Sequence, residues 1–105
     1  MNTQFNRLAI VLFTTGVVTS SAFAAWKDTI KLINDDQEEV TIEVRMGQDG
    51  DPVRNPSLGS RTVGPGKYWA IECSTNVWYR RTNGDGAWLD VACYGLGKVV
   101  DETIR

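Results

Sequence analysis

Two tryptophans, two arginines and three tyrosines gather around one turn. The stretch NVWYRRTNGDGAW, residues 76–88, places Trp78, Tyr79, Arg80 and Arg81 before it and Trp88 after it, with Tyr68 and Tyr94 on flanking runs. Aromatic faces beside a guanidinium stack on sugar rings, take part in cation–π contacts, or anchor a protein partner. The same residue types also serve plain structure, because aromatics favour strands, cross-strand rings stabilise a sheet, and arginine stems cover apolar surface. Tyr68, Trp78, Arg80, Trp88 and Tyr94 are therefore the candidate partner- or ligand-binding residues.

Other chemistries find little to use. The chain has no histidine, the commonest general base and metal ligand. The only cysteines, Cys73 and Cys93, are expected to be joined and so removed as nucleophiles. Glu72 and Asp90 would need a cleft holding them at a defined separation to hydrolyse a glycoside. Gly47-Gln48-Asp49-Gly50-Asp51-Pro52 has the alternating aspartates of a calcium loop, but Val53-Arg54 follows where further oxygen ligands belong, so a solvated turn is expected. Asn34–Glu39 and Asn83–Gly86 read as turns in the same way. No catalytic residue, cofactor or metal is expected. The basic residues are scattered, which argues against nucleic acid, although Arg45, Arg54, Arg61 and Lys67 are candidates to share a rim.

The amino terminus reads as an export signal. A segment bearing Arg7 precedes the apolar run Leu8–Val18, and Ala22-Phe23-Ala24 is a small-x-small cleavage pattern. The 11-residue run is far short of the roughly 20 residues that cross hydrocarbon, so no membrane span is expected. Removing 24 of 105 residues leaves 81, one domain at residues 25–105, with 10 Lys and Arg against 13 Asp and Glu and a formal charge of −3. The expected location is outside the cytoplasm, periplasmic or secreted. There a lone cysteine pair becomes a disulfide, for which a separation of 20 residues implies about 3 kcal/mol of stabilisation.

The elements that must position these residues are strands. Helical periodicity is missing, while short runs alternate apolar and polar residues: Thr29–Ile33, Val40–Met46, a short Arg61–Val63, Lys67–Cys73, Val77–Thr82, Trp88–Tyr94 and Lys98–Ile104. The first two runs, joined by NDDQEE, read as a β-hairpin. The fold class is all-β: a small antiparallel sandwich, or a barrel, of about six to seven strands with one intrachain disulfide.

Alternation then assigns faces. Trp69, Ile71 and Cys73 share one face, as do Leu89, Val91 and Cys93, so both sulfurs point into the core and Tyr68, Trp88, Asp90 and Tyr94 point out. For the middle run, either Trp78 and Arg80 face outward, or Val77, Tyr79 and Arg81 do; an apolar Val77 and a large Tyr79 favour the first. That choice would put Trp78 and Arg80 beside Trp88 and Tyr68. The expected function is a non-catalytic exported protein that binds a protein partner, as an inhibitor, immunity or interaction factor. A carbohydrate-binding module is the alternative, and an envelope or surface assembly subunit pairing through an open strand edge is a third. Oligomeric state is left open.

Overall fold

A computed structural model describes residues 26–83 and 86–105. The export-signal reading of residues 1–24, and Gly84-Asp85 within the second turn, lie outside the described residues.

Among the described residues seven strands form, which we number β1 (Asp28–Ile33), β2 (Val40–Met46), β3 (Ser57–Val63), β4 (Tyr68–Cys73), β5 (Val77–Arg81), β6 (Leu89–Val91) and β7 (Val99–Thr103). A single 3-10 turn, Pro52–Arg54, lies between β2 and β3. The strands divide into a three-stranded sheet in the order β4-β1-β7 and a four-stranded sheet in the order β3-β2-β5-β6. Period-two alternation is what buries one face of each. In β2, Val40, Ile42 and Val44 are buried while Thr41, Glu43 and Arg45 lie on the other side. Ile30, Leu32, Trp69 and Ile71 from the first sheet join Ile42, Val44, Val77, Tyr79 and Val91 from the second in one core. Two sheets enclosing one core form a small sandwich, the first of the two all-β architectures expected.

The disulfide is formed. Cys73, the last residue of β4, is joined to Cys93, two residues beyond β6, with the two Cα atoms 6.2 Å apart. It therefore ties one sheet to the other. Both cysteines are buried, as alternation requires. The face of the middle run, which alternation left open, is decided by the fold: Val77 and Tyr79 are fully buried, and Trp78 and Arg80 take the outer face.

Four expectations are corrected. β1 and β2 are not a hairpin, since they belong to different sheets and the segment between them crosses from one to the other. Buried Asn34 makes this crossover. Its Nδ2 donates to Glu38 O at 2.8 Å and Val63 O at 2.9 Å, and its Oδ1 accepts the N–H of Asp36 at 2.9 Å. Its backbone also bonds to Lys67 O and Gly66 N, anchoring the segment to the β3–β4 turn. A hairpin and a crossover bury the same alternate residues, so the pattern of the two strands cannot distinguish them. Second, the β1–β7 ladder is parallel, with Thr29 opposite Val99 and Ile33 opposite Thr103, whereas the other ladders are antiparallel. Third, β3 begins at Ser57, not Arg61, and reaches its partner through a bulge that leaves Leu58 between Val44↔Gly59 and Arg45↔Ser57. Fourth, β6 is only Leu89–Val91, because the chain beyond turns inward at Cys93 and its N–H groups go to a buried carboxylate.

That carboxylate is Asp28, at the start of β1 and only 2% exposed. Its Oδ2 accepts the N–H groups of Tyr94 at 3.0 Å and Gly95 at 3.2 Å, and its Oδ1 those of Leu96 at 2.7 Å and Lys98 at 2.9 Å. Cys93 Sγ stands 3.8 Å from Oδ2, a packing contact, since a disulfide sulfur has no hydrogen to donate. The Lys98 N–H above all, with those of Tyr94, Leu96 and Gly95, holds this carboxyl below its ordinary range against the opposing effect of burial.

Candidate binding surfaces

The five residues singled out by type divide among three places. Trp78, Arg80 and Trp88 come together on the outer face of the four-stranded sheet. Register explains it: Glu43 lies opposite Arg80, Arg45 opposite Trp78, and Trp78 opposite Asp90, with Trp88 immediately before β6. The Arg80 guanidinium carbon lies 4.6 Å from the centre of the Trp88 ring. Arg80 Nε donates to Glu43 Oε1 at 3.1 Å and its Nη1 to Gly86 O at 3.4 Å.

The same network reaches a neighbouring loop. Glu43 Oε2 is 3.6 Å from Arg45 Nη2, whose Nη1 donates to Asn55 O at 2.9 Å and Val53 O at 3.3 Å. Trp78 Nε1 donates to Gly47 O at 3.2 Å. The loop is itself rigidly made, because buried Asn55 accepts the Asp49 N–H and donates to Asp49 O, both at 3.0 Å. A Cβ on Gly47 would overlap the Asn55 amide, which requires glycine there. Trp78, Arg80 and Trp88 are all half-buried and fixed by partners.

Tyr68 does not join them. It is exposed on the outer face of the three-stranded sheet, across the sandwich, with Lys31 Nζ 4.8 Å from its ring centre. Tyr94 lies elsewhere again, in the loop that Asp28 holds, so the expected continuous row of rings is not built. The reason is topological. β4 and β6 both alternate as expected, but they belong to different sheets whose outer faces point in opposite directions. Glu72 and Asp90 are separated in the same way, Glu72 opposite Thr29 in one sheet and Asp90 opposite Trp78 in the other. They cannot act on one bond.

Nor do the arginines and Lys67 form a rim. Arg45 is spent on backbone carbonyls and Glu43, Arg54 is 3.8 Å from Asp51, and Lys67 is at the opposite end, in the turn before β4. Arg61 lies opposite Ile42 on the core side of edge strand β3, its guanidinium carbon 4.5 Å from the Trp69 ring centre. An inward-pointing charge on an edge strand caps the core and discourages pairing with other chains. The aspartates of the 47–55 loop are turn acceptors: Asp49 Oδ1 takes the Asp51 N–H at 2.9 Å and Asp51 Oδ1 the Val53 N–H at 3.4 Å. Among the described residues no three His, Cys, Asp or Glu side chains group to hold a metal.

Sequence reasoning passed over the surface around Tyr94. Trp26, Leu96 and Val99 are exposed there, and Gly95 and Gly97 adopt positive φ of 70° and 78°. The available signal was Tyr-Gly-Leu-Gly, two large residues alternating with glycines, which reads simply as a turn. The fold thus defines a class, a disulfide-tied two-sheet β domain with one fixed Trp/Arg face and one apolar end. No family model matches the chain, and no curated protein or solved structure does.

Proposed function

We propose that this is a non-catalytic exported protein that engages a protein partner through the outer face of the four-stranded sheet. The observation that carries this reading is the cross-strand arrangement Trp78, Arg80 and Trp88, held by Glu43, Gly47 O and Gly86 O. Trp and Arg are the residue types that dominate binding energy at protein interfaces, and side chains already fixed lose little freedom on binding. The buried Cys73–Cys93 disulfide accords with an oxidising compartment. No helix among the described residues is long and apolar enough to cross a membrane. The absence of histidine, the oxidised cysteines and the separation of Glu72 from Asp90 support a role without catalysis.

The carbohydrate-binding reading is less well supported, because Arg80 already covers the Trp88 ring and Tyr68 is on the opposite face. The assembly reading rests only on the outer edges of β3, β4, β6 and β7, and Arg61 guards one of them. The test is affinity capture by the protein as recovered from its producing cells, compared with Trp78→Ala/Trp88→Ala at matched folding. Loss of a specific captured protein in the variant supports the reading. Identical capture by both, or capture of glycan alone, overturns it.

A further inference from the structure

A strand at the edge of a sheet offers backbone groups to a further strand, and the four edges of this sandwich are guarded unequally. β3 is protected by its bulge at Leu58 and by inward-pointing Arg61. β6 is only three residues long. On β7 the Thr103 carbonyl already accepts the Tyr79 hydroxyl at 3.3 Å, and an antiparallel two-fold through its middle residue would set Asp101 against its own copy. β4 has six residues, no bulge in its ladder with β1, no proline and a single charge, Glu72.

Hydrogen bonds around β1 show which groups of β4 face outward. Antiparallel partners alternate between pairs that exchange hydrogen bonds and pairs whose backbone groups point away from each other. The Asn34 N–H donates to Lys67 O at 2.9 Å, one step beyond the pair Ile33↔Tyr68. Leu32↔Trp69, Ile30↔Ile71 and Asp28↔Cys73 are therefore the bonded pairs, and those of Tyr68, Ala70 and Glu72 are not. The other side of β1 agrees. The Thr29 N–H donates to Lys98 O and Ile33 O accepts the Ile104 N–H, both at 2.8 Å, so the residues opposite Glu72 and Tyr68 bond toward β7 instead. The N–H and C=O groups of Tyr68, Ala70 and Glu72 thus line the open edge, and all three residues are exposed.

We propose that two copies of this chain pair through β4, antiparallel about a two-fold axis at Ala70. This register sets Ala70 against Ala70 of the second copy and Tyr68 against Glu72 of the second copy, so that every outward residue exchanges hydrogen bonds. Centring on Tyr68, Trp69 or Ile71 leaves outward residues without a partner in β4, and centring on Glu72 opposes like charges. The side chains favour the same register. Lys31 Nζ stands 4.8 Å from the Tyr68 ring centre. Directly opposite residues share a face with Cβ atoms about 5 Å apart, which brings Glu72 of the second copy within reach of Lys31. Among the described residues neither Glu72 nor Lys31 forms an ion pair within one copy. On the inner face Trp69 meets Ile71 of the second copy, extending the core across the axis. The result is a closed pair and not an open array, because the edges left outside it are the guarded ones. The Trp78/Arg80/Trp88 face belongs to the other sheet, so this pairing does not depend on what that face binds.

The experiment is sedimentation equilibrium of the protein, as recovered from its producing cells, from micromolar to millimolar concentration, with amide hydrogen exchange measured at both ends of that range. A reversible monomer–dimer equilibrium is expected, weak because a single strand edge is a small interface. Protection should rise with concentration at Tyr68, Ala70 and Glu72. It should not change at Trp69 and Ile71, whose N–H groups are bonded to β1 at any concentration. Ala70→Pro removes the central donor of each copy but none from the ladder with β1. It is expected to weaken association by more than about tenfold with an unchanged unfolding midpoint of the monomer. If that variant impairs folding, Glu72→Lys at an exposed position decides, with an expected weakening of about fivefold. A monomer throughout the range overturns the proposal. So does a dimer whose protection lies elsewhere, or one that the variants leave intact.

Discussion

Replacing both Cys73 and Cys93 by alanine tests how much of this fold depends on tying its two sheets together. The bridge closes a separation of 20 residues. In the chain-entropy account the loss of that constraint on the unfolded chain costs about 3 kcal/mol. Loss of two buried sulfurs adds to this, since both cysteines are enclosed in the core. For a domain of this size total stability is on the order of 4–12 kcal/mol, so the change is a large share of it. The expected fall in Tm is about 12–24 °C, at roughly 4–8 °C per kcal/mol. Calorimetry and urea titration of the two proteins measure it, and the urea dependence should steepen in the variant because its unfolded chain exposes more surface. There is also a local expectation. Cys93 immediately precedes the Asp28-bound loop, so the amides of Tyr94, Gly95, Leu96 and Lys98 should exchange hydrogen faster in the variant. A Tm lowered by less than about 5 °C, with unchanged exchange at those amides, would refute the view that this bridge clamps the sheets.

Three further outcomes are expected. Asp28 has a folded pKa below its unfolded value of about 3.9, so its contribution is present above that value and is lost as pH falls through the folded one; unfolding free energies from pH 7 downward should show Asp28→Asn less stable than wild type near neutrality, with the gap narrowing below about pH 4. A gap independent of pH would mean that charge on Asp28 is not what holds the loop. Asn34→Ala strands buried acceptors at the crossover and should cost about 2–3 kcal/mol in urea unfolding; a loss under about 0.5 kcal/mol would show that the segment crosses between sheets without it. A double-mutant cycle of Arg80→Ala and Trp88→Ala should give a coupling of about 0.5–1 kcal/mol for the stacked pair, and zero coupling would mean that the guanidinium and the ring do not form a unit in solution.

Local chemistry determined much of this protein. Alternation in Val40–Met46 and Tyr68–Cys73 assigned inner and outer faces, because a strand sends successive side chains to opposite sides whatever its neighbours are. For the same reason two cysteines on inward positions pointed to a core disulfide, whereas the face of Val77–Arg81 stayed open, an apolar Val77 and a large Tyr79 only favouring the side that the fold buries. Partners of strands are not a local property. Whether the segment after Ile33 turns back as a hairpin or crosses to a second sheet depends on Asn34 finding Val63 and the Gly66–Lys67 turn, contacts made only once β3 and β4 are in place. That choice put Tyr68 on one face and Trp78, Arg80 and Trp88 on the other, dividing a patch that residue types alone had joined. Likewise nothing in a lone aspartate announces four backbone donors. Only the fold brings Asp28 to residues 94–98, more than sixty positions away, and turns a Tyr-Gly-Leu-Gly stretch into a rigid apolar end. Face is written into a strand by its own period, whereas neighbour is decided by long-range burial and hydrogen-bond satisfaction, which exist only in the assembled sandwich.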